Sequence, residues 1–99
     1  MKDVLVKSLF RETDKYAGSD IVVRGWIRTN RGSNKFGFIE LNDGSFFKSV
    51  QVVYESEFLD NFDEISKAPI AAALRVEGTF VLTPEAKQPF EIKAKAVTI

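Results

Sequence analysis

Apolar and polar side chains alternate on both sides of a short basic loop at residues 31–35. A period of two is typical of β-strands, because successive side chains of a strand point to opposite faces of the sheet. In the segment after the loop, positions 37, 39 and 41 place glycine, isoleucine and leucine on one face. Phe36, Phe38 and Glu40 occupy the other face. The pattern predicts a two-stranded hairpin whose aliphatic face is buried and whose opposite face carries two aromatic rings.

The two rings have two open interpretations. Exposed aromatic rings beside arginines can stack on nucleic-acid bases while the guanidinium groups hold phosphates. Alternatively, another element covers Phe36 and Phe38, and they form a second layer of the core, since aromatic residues in strands are commonly buried. The alternation alone is compatible with both arrangements.

The remaining segments predict three more strands and two helices. Apolar residues at helical spacing indicate a short helix within residues 4–12. A second helix is expected to begin at Ser56, a favourable N-cap residue, and to end before Pro69. Five strands are predicted, at residues 21–31, 35–42, 47–54, 71–82 and 90–98.

Three strands, a helix and two strands form the element order of an OB-fold, a five-stranded Greek-key barrel. Its binding surface is commonly the outer face of the second and third strands. We therefore expect an all-β OB-fold over residues 1–99, with the helix between strands three and four and a short N-terminal helix. Gly25 indicates a bulge or bend, and Trp26 is expected to pack beneath the N-terminal segment. A different small barrel or sandwich with one helix is the alternative.

The composition argues against catalysis by this chain. It contains neither histidine nor cysteine, so the commonest general base, the commonest metal ligand and every thiol site are excluded. The six glycines are scattered and form no phosphate-binding loop. Because 14 basic residues balance 14 acidic ones, a nucleic-acid site must be local or supported by another part of a larger protein. We expect no catalytic residue, no metal site and no cofactor in these 99 residues.

Membrane and secretory features are not expected either. No segment is apolar enough to span a bilayer, and the first residues lack the apolar stretch of a secretory signal. These observations predict a cytoplasmic protein without a membrane partner.

Three segments together resemble a known family, at residues 25–28, 36–41 and 43–53. They are similar to the N-terminal anticodon-binding domain of class IIb aminoacyl-tRNA synthetases, the enzymes for Asp, Asn and Lys. The turn Asp-Gly-Ser-Phe-Phe and the closing segment at residues 78–94 look most like the bacterial asparaginyl enzymes. The aspartyl pattern would place an Arg-Asp pair where Asn42 and Asp43 stand. The resemblance covers nearly the whole chain.

The resemblance implies roles for individual residues. Phe38 stands where the family's aromatic ring stacks on the central anticodon base, a uridine, and Gln51 stands where a glutamine reads that base. An amide can both donate and accept, as the edge of uracil requires. Arg31 matches an arginine near the anticodon, and Glu91 is a candidate reader of a guanine at the first anticodon position. Further phosphate or base contacts are expected near the hairpin, at Arg28, Lys35 and Phe36.

The resemblance also implies a longer parent protein. In the family a catalytic domain follows this domain, uses ATP and Mg²⁺, and provides most of the homodimer contact. None of the class II catalytic motifs occurs in the chain. The implied parent is an asparagine–tRNA ligase acting on tRNA-Asn, and this chain is its anticodon-recognition module. The same domain of an aspartyl enzyme, a general single-strand-binding OB domain and a protein-interaction domain remain alternatives.

Overall fold

The computed structural model describes residues 2–86 and 88–99, and within them five long strands form a closed barrel. A two-residue strand pairs in parallel with the start of the first long strand, and three short helices lie outside the sheet. The elements are β1 (Lys2–Asp3), α1 (Val6–Arg11), α2 (Thr13–Tyr16), β2 (Asp20–Gly32), β3 (Phe36–Asn42), β4 (Val50–Glu55), α3 (Phe62–Ser66), β5 (Ala73–Leu82) and β6 (Phe90–Thr98).

The barrel closes because β2 pairs with two different strands. Its first half, Asp20 to Trp26, is antiparallel to β5, and its second half, Trp26 to Gly32, is antiparallel to β3. The order around the barrel is β2–β3–β4–β6–β5 and back to β2, with β4 and β6 parallel. This topology confirms the predicted all-β OB-fold with a helix between the third and fourth long strands.

Trp26 pairs with both β5 and β3, so β2 changes its partner directly after Gly25. A Cβ atom on Gly25 would lie 2.4 Å from the main-chain oxygen of Asn42, so a side chain would keep the two strands apart. The register irregularity itself lies further on, between Ile27 and Thr29. It reverses the alternation of inward and outward residues, so that the next inward position is Asn30, opposite Ile39.

The predicted inward face of β3 is confirmed, because Gly37, Ile39 and Leu41 are buried. β4 and β5 likewise alternate buried and more exposed residues, and the buried residues fill the barrel. The buried set includes Ile21, Val23, Ile27, Ile39, Leu41, Val50, Val52, Tyr54, Leu74, Val76 and Phe80.

The bounds of several elements differ from the expectation. The helix predicted from Ser56 begins only at Phe62, because the amides before it are used in a turn: Phe58 and Leu59 both donate to the Glu55 carbonyl. The amide of Ser56 donates across to the hairpin loop instead of starting a helix. Smaller shifts move the N-terminal helix to 6–11, the third long strand to 50–55 and the fourth to 73–82.

Trp26 does not pack beneath the N-terminal segment, so that expectation is wrong. Its side chain is 39% exposed, and its ring lies over the turn after β3, 3.2 Å from where a Cβ of Gly44 would be. The N-terminal segment is held by the side chains of this same turn. Asp43 Oδ2 accepts the Val6 amide at 2.9 Å, and Ser45 Oγ accepts the next amide at 3.0 Å. These contacts satisfy amides at the start of α1 that have no partner within the helix.

Tyr54 joins three strands and α3 inside the barrel. Its ring lies against Gly37 on β3, where a Cβ atom would be 2.3 Å from the tyrosine Cζ. Its hydroxyl donates to Asn30 Oδ1 at 2.7 Å, and Asn30 Nδ2 donates to the carbonyls of Ile65 and Ala68 at 2.9 and 3.2 Å. Burial raises the pKa of the Tyr54 phenol above its usual 10.0, and the hydrogen bond to Asn30 opposes this in part.

We expect Tyr54→Phe to lower the free energy of unfolding by about 1–3 kcal/mol, because the Asn30 oxygen then lacks its donor. Urea unfolding at neutral pH measures this loss. A double-mutant cycle with Asn30→Ala should be non-additive, since both changes remove the same hydrogen bond. Equal stability of Tyr54→Phe and the wild type would contradict the assigned role.

The stability difference between the wild type and Tyr54→Phe should depend on pH. The phenol of Tyr54 ionises less readily in the folded than in the unfolded chain, so its neutral form contributes stability fully below the unfolded pKa of about 10. That contribution is lost as the pH rises towards the higher folded pKa. The stability advantage of the wild type over Tyr54→Phe should therefore shrink above about pH 10. Parallel stability curves between about pH 8 and 11 would contradict this.

Candidate nucleic-acid interface

Phe36 and Phe38 lie on the outer face of β3 and contact each other edge to face. Their ring centroids are 5.6 Å apart and their planes meet at 87°. Phe36 is 44% exposed and Phe38 is half-buried, while Gly37 and Ile39 between and beside them are buried. The interpretation that another element covers Phe36 in a second core layer is therefore wrong. The two rings present aromatic surface to solvent.

An open depression of about 340 Å³ lies on this outer face. In the sheet Phe38 stands opposite Arg31 on β2 and opposite Val53 on β4. Gln51 is the partner of Glu40 on β4, and it lies diagonally from Phe38 on the same outer face. The depression thus combines a ring that can stack, a guanidinium group that can bind phosphate and an amide that can pair with a base edge. Its lining residues are Arg31, Gly32, Ser33, Phe36, Phe38 and Gln51.

Arg31 reaches this face only because of the irregularity in β2. Alternation continued from Ile27 would place residue 31 inside the barrel. The shift between Ile27 and Thr29 moves the inward position to Asn30 and pairs Arg31 with Phe38 on the outside. The same shift therefore builds the core hydrogen bonds of Asn30 and the cationic side of the depression.

A second depression of about 300 Å³ continues the surface towards the loop that precedes β6. It shares Arg31 and Gln51 with the first one, and Lys48 adds a positive charge that Glu40 partly balances. The remaining lining residues are Phe10, Gln88 and Pro89. The two depressions form one surface across β2, β3 and β4, which we call the outer groove.

Gln88 connects the loop before β6 to the start of β4. Its Oε1 accepts the amide of Gln51 at 3.2 Å, and its Nε2 donates to the carbonyl of Ser49 at 3.3 Å. The parallel ladder of β4 and β6 begins only beyond this point, at Val52 and Ile92, so the Gln88 side chain takes the place of a neighbouring strand. Sequence reasoning missed this role, although Gln88 lies in a segment that carries the family resemblance.

Three of the residues expected from the sequence do not line the outer groove. Arg28 is exposed at the irregularity of β2, and Lys35 is exposed on the hairpin loop. Glu91 lies on β6 opposite Val81, one residue before the Val52–Ile92 pair, on the strand next to Gln51. Their contacts with nucleic acid remain predictions.

Other kinds of site find no support in the described part of the chain. Residues 2–86 and 88–99 hold no cluster of three or more side chains suited to binding a metal ion. No helix among these residues has the length and apolarity needed to cross a bilayer.

Comparison with known proteins agrees with this architecture. The family model of the tRNA anti-codon OB-fold nucleic acid binding domain matches residues 21–99. An asparagine–tRNA ligase of Bacillus cytotoxicus is 63% identical over all 99 residues, which are 21% of that protein, and one of Clostridium novyi is 61% identical over the same residues. The chain thus spans about a fifth of the length of these curated relatives. The resemblance expected from the motifs is confirmed.

Solved structures share the fold at low sequence identity. An asparaginyl-tRNA synthetase from Pyrococcus horikoshii, complexed with asparaginyl-adenylate, superposes with a TM-score of 0.84 and 19% identity. The match covers 100% of this chain and 22% of that one. An aspartyl-tRNA synthetase from Entamoeba histolytica superposes with a TM-score of 0.72 and 17% identity over 86% of this chain and 19% of its own.

The outer rings should contribute little to stability, which separates them from core phenylalanines. We expect Phe36→Ala to change the free energy of unfolding by less than about 1 kcal/mol, because an exposed ring leaves no cavity. Phe80→Ala, the matched core variant, should cost about 3–5 kcal/mol. Chemical denaturation of both variants tests the contrast, and a loss at Phe36 as large as at Phe80 would place Phe36 in the core.

Proposed function

Because the chain belongs to the family of tRNA anti-codon OB-fold nucleic acid binding domains, we propose that it recognises the anticodon of tRNA-Asn as the N-terminal region of an asparagine–tRNA ligase. The observation that carries this proposal is the convergence of Arg31, Phe38 and Gln51 on one open depression. The identity with asparagine–tRNA ligases over the full length of the chain supports the choice of tRNA-Asn.

Each side chain of the depression has a chemical task in this proposal. The ring of Phe38 stacks on the central anticodon base, an interaction that every base can make. The amide of Gln51 accepts from N3–H of uracil and donates to the adjacent oxygen, which gives the contact its base preference. The guanidinium group of Arg31 binds the backbone of the splayed loop.

Gln88 and Glu91 support the same assignment. Gln88 fastens the main chain of Gln51 and thereby limits the positions that the reading amide can take. Glu91, on the neighbouring strand, offers a carboxylate that can accept both the N1–H and N2–H₂ groups of a guanine. We assign the central base to Phe38 and Gln51 and the first base to Glu91.

In this proposal, the aminoacylation reaction of the full-length ligase takes place outside this chain. Attachment of asparagine with ATP and Mg²⁺ belongs to the catalytic part of a longer protein, which would also be the homodimeric, cytoplasmic species. We expect the pure 99-residue chain to show no asparagine-dependent exchange of pyrophosphate into ATP, because it lacks histidine, cysteine and a phosphate-binding loop. Exchange above the rate of a heat-denatured sample would contradict this assignment.

The binding assignment predicts different effects of two substitutions. Phe38→Ala should weaken binding of an anticodon stem-loop carrying GUU by roughly ten- to a hundredfold, and equally for GCU, because stacking does not depend on the base. Gln51→Ala should reduce the preference for uridine over cytidine more than it reduces affinity. Fluorescence titration of both RNAs measures these effects.

Phe58→Ala is the matched control for these titrations. Phe58 is 59% exposed and lies in a separate depression that shares no lining residue with the outer groove, so its loss should leave binding unchanged. Equal affinity of the wild type for GUU and GCU would favour a general single-strand-binding domain. Absence of binding to either RNA would contradict both nucleic-acid assignments.

A further inference from the structure

Phe47 presents another aromatic ring at the surface, on the loop between β3 and β4. With 81% of its surface accessible, it is the most exposed large apolar side chain of the described residues. It belongs to the Asp-Gly-Ser-Phe-Phe motif that identified the family resemblance, yet the recognition of the central base by Phe38 and Gln51 does not use it. A ring this exposed contributes little to the core, and its surface is accessible to a binding partner.

The main chain on both sides of Phe47 is hydrogen-bonded to Asn42. The carbonyls on both sides of Phe47, those of Phe46 and Lys48, accept hydrogen bonds from the buried Asn42 side chain, at 3.4 Å each. The same amide group donates to Ser49 Oγ at 3.2 Å, and Asn42 Oδ1 accepts the Gly44 amide at 2.7 Å. The buried side chain of Asn42 therefore connects the end of β3 to the main chain on both sides of Phe47.

A row of aromatic rings supports Phe47 from the protein side. Its centroid lies 4.7 Å from that of Phe46, and Phe46 stacks on Phe10 at 4.9 Å. Phe10 in turn meets the buried Phe90 edge to face at 4.8 Å. Phe46 therefore lies between the exposed ring of Phe47 and the rings that are packed into the domain.

The charge beside Phe47 matches a nucleotide. Lys48 Nζ lies 5.7 Å from the centre of the Phe47 ring, and Lys48 also lines the outer groove together with Arg31 and Gln51. A ring for the base and an ammonium group for the phosphate are the combination that single-stranded nucleic acid requires. The pair is therefore continuous with the proposed anticodon surface.

We propose that Phe47 and Lys48 form a second nucleotide subsite, in which Phe47 stacks on a base of the anticodon loop other than the central one. Lys48 contacts a backbone phosphate next to that base. The inference rests on the proposed function, because the RNA must occupy the outer groove to reach the loop between β3 and β4. The subsite adds affinity without base preference, since any base can stack on phenylalanine.

Abasic substitutions locate the stacked base. Anticodon stem-loops are made with each loop base removed in turn, and their affinities are measured with the wild-type chain and with Phe47→Ala. Phe47→Ala should weaken binding of the intact RNA about five- to a hundredfold. For Phe47→Ala, removing one particular non-central base from the RNA should lower the affinity no further, because the contact with that base is already lost. For Phe38→Ala, the affinity should be insensitive only to removal of the central base.

Two further variants separate stacking from a general apolar contact and from charge. Phe47→Leu should lose as much affinity as Phe47→Ala, and Phe47→Trp should retain it, because stacking needs an aromatic face. Lys48→Ala should reduce the slope of log K against log salt by about 0.7–1, the effect of one phosphate contact. Phe58→Ala again serves as the exposed control, and thermal unfolding confirms that each variant is folded.

The outcomes distinguish this inference from the proposed function. If Phe38→Ala weakens binding but Phe47→Ala does not, the subsite is refuted and anticodon recognition stands. The subsite is likewise refuted if every abasic RNA keeps its full loss in Phe47→Ala. It is also refuted if Phe47→Leu binds the RNA like the wild type, which would indicate an apolar contact without stacking. Failure of the wild-type chain to bind any stem-loop would overturn the proposed function and the subsite together.

Discussion

The contact of Tyr54 with Gly37 and Asn30 is the interaction on which the rest of the barrel depends. The ring fits against β3 only because position 37 has no side chain, and the hydroxyl reaches across to β2. Asn30 extends the connection to the carbonyls of Ile65 and Ala68 at the end of α3. This arrangement holds three adjacent strands and the crossover helix together. The outer side of the same three strands carries the outer groove.

The outer groove illustrates how a chain with no net charge can offer a nucleic-acid site. Arg31 and Lys48 supply positive charge at two places beside aromatic rings, and Glu40 partly balances it. The acidic residues that give the chain zero net charge otherwise lie outside the groove. In the proposed function, stacking on Phe38 supplies affinity and the charged groups orient the RNA backbone. A domain of this kind gains selectivity for a splayed loop over duplex, because only unstacked bases can reach the rings.

The side-chain amides of Asn42 and Gln88 shape this surface from within. Asn42 arranges the loop between β3 and β4, while Gln88 fastens the start of β4 to the loop before β6. Both side chains satisfy main-chain groups where regular strand pairing is absent. The loops at this end of the barrel are thus positioned by specific hydrogen bonds, which explains how residues far apart in the chain form one continuous groove.

The sequence by itself determined the features that depend only on residues close together in the chain. Alternation along β3 and β4 placed Phe36, Phe38 and Gln51 outside the barrel, because a period of two is a local property of a strand. Tertiary structure decided the rest: the irregularity in β2 turned Arg31 outward, and the turn after β4 shortened the helix to Phe62–Ser66. The hydrogen bonds of Gln88 to β4 join residues 37 and 39 positions apart, and no local pattern encodes such a contact. These contacts form only when the barrel closes, so the tertiary structure is needed to identify them.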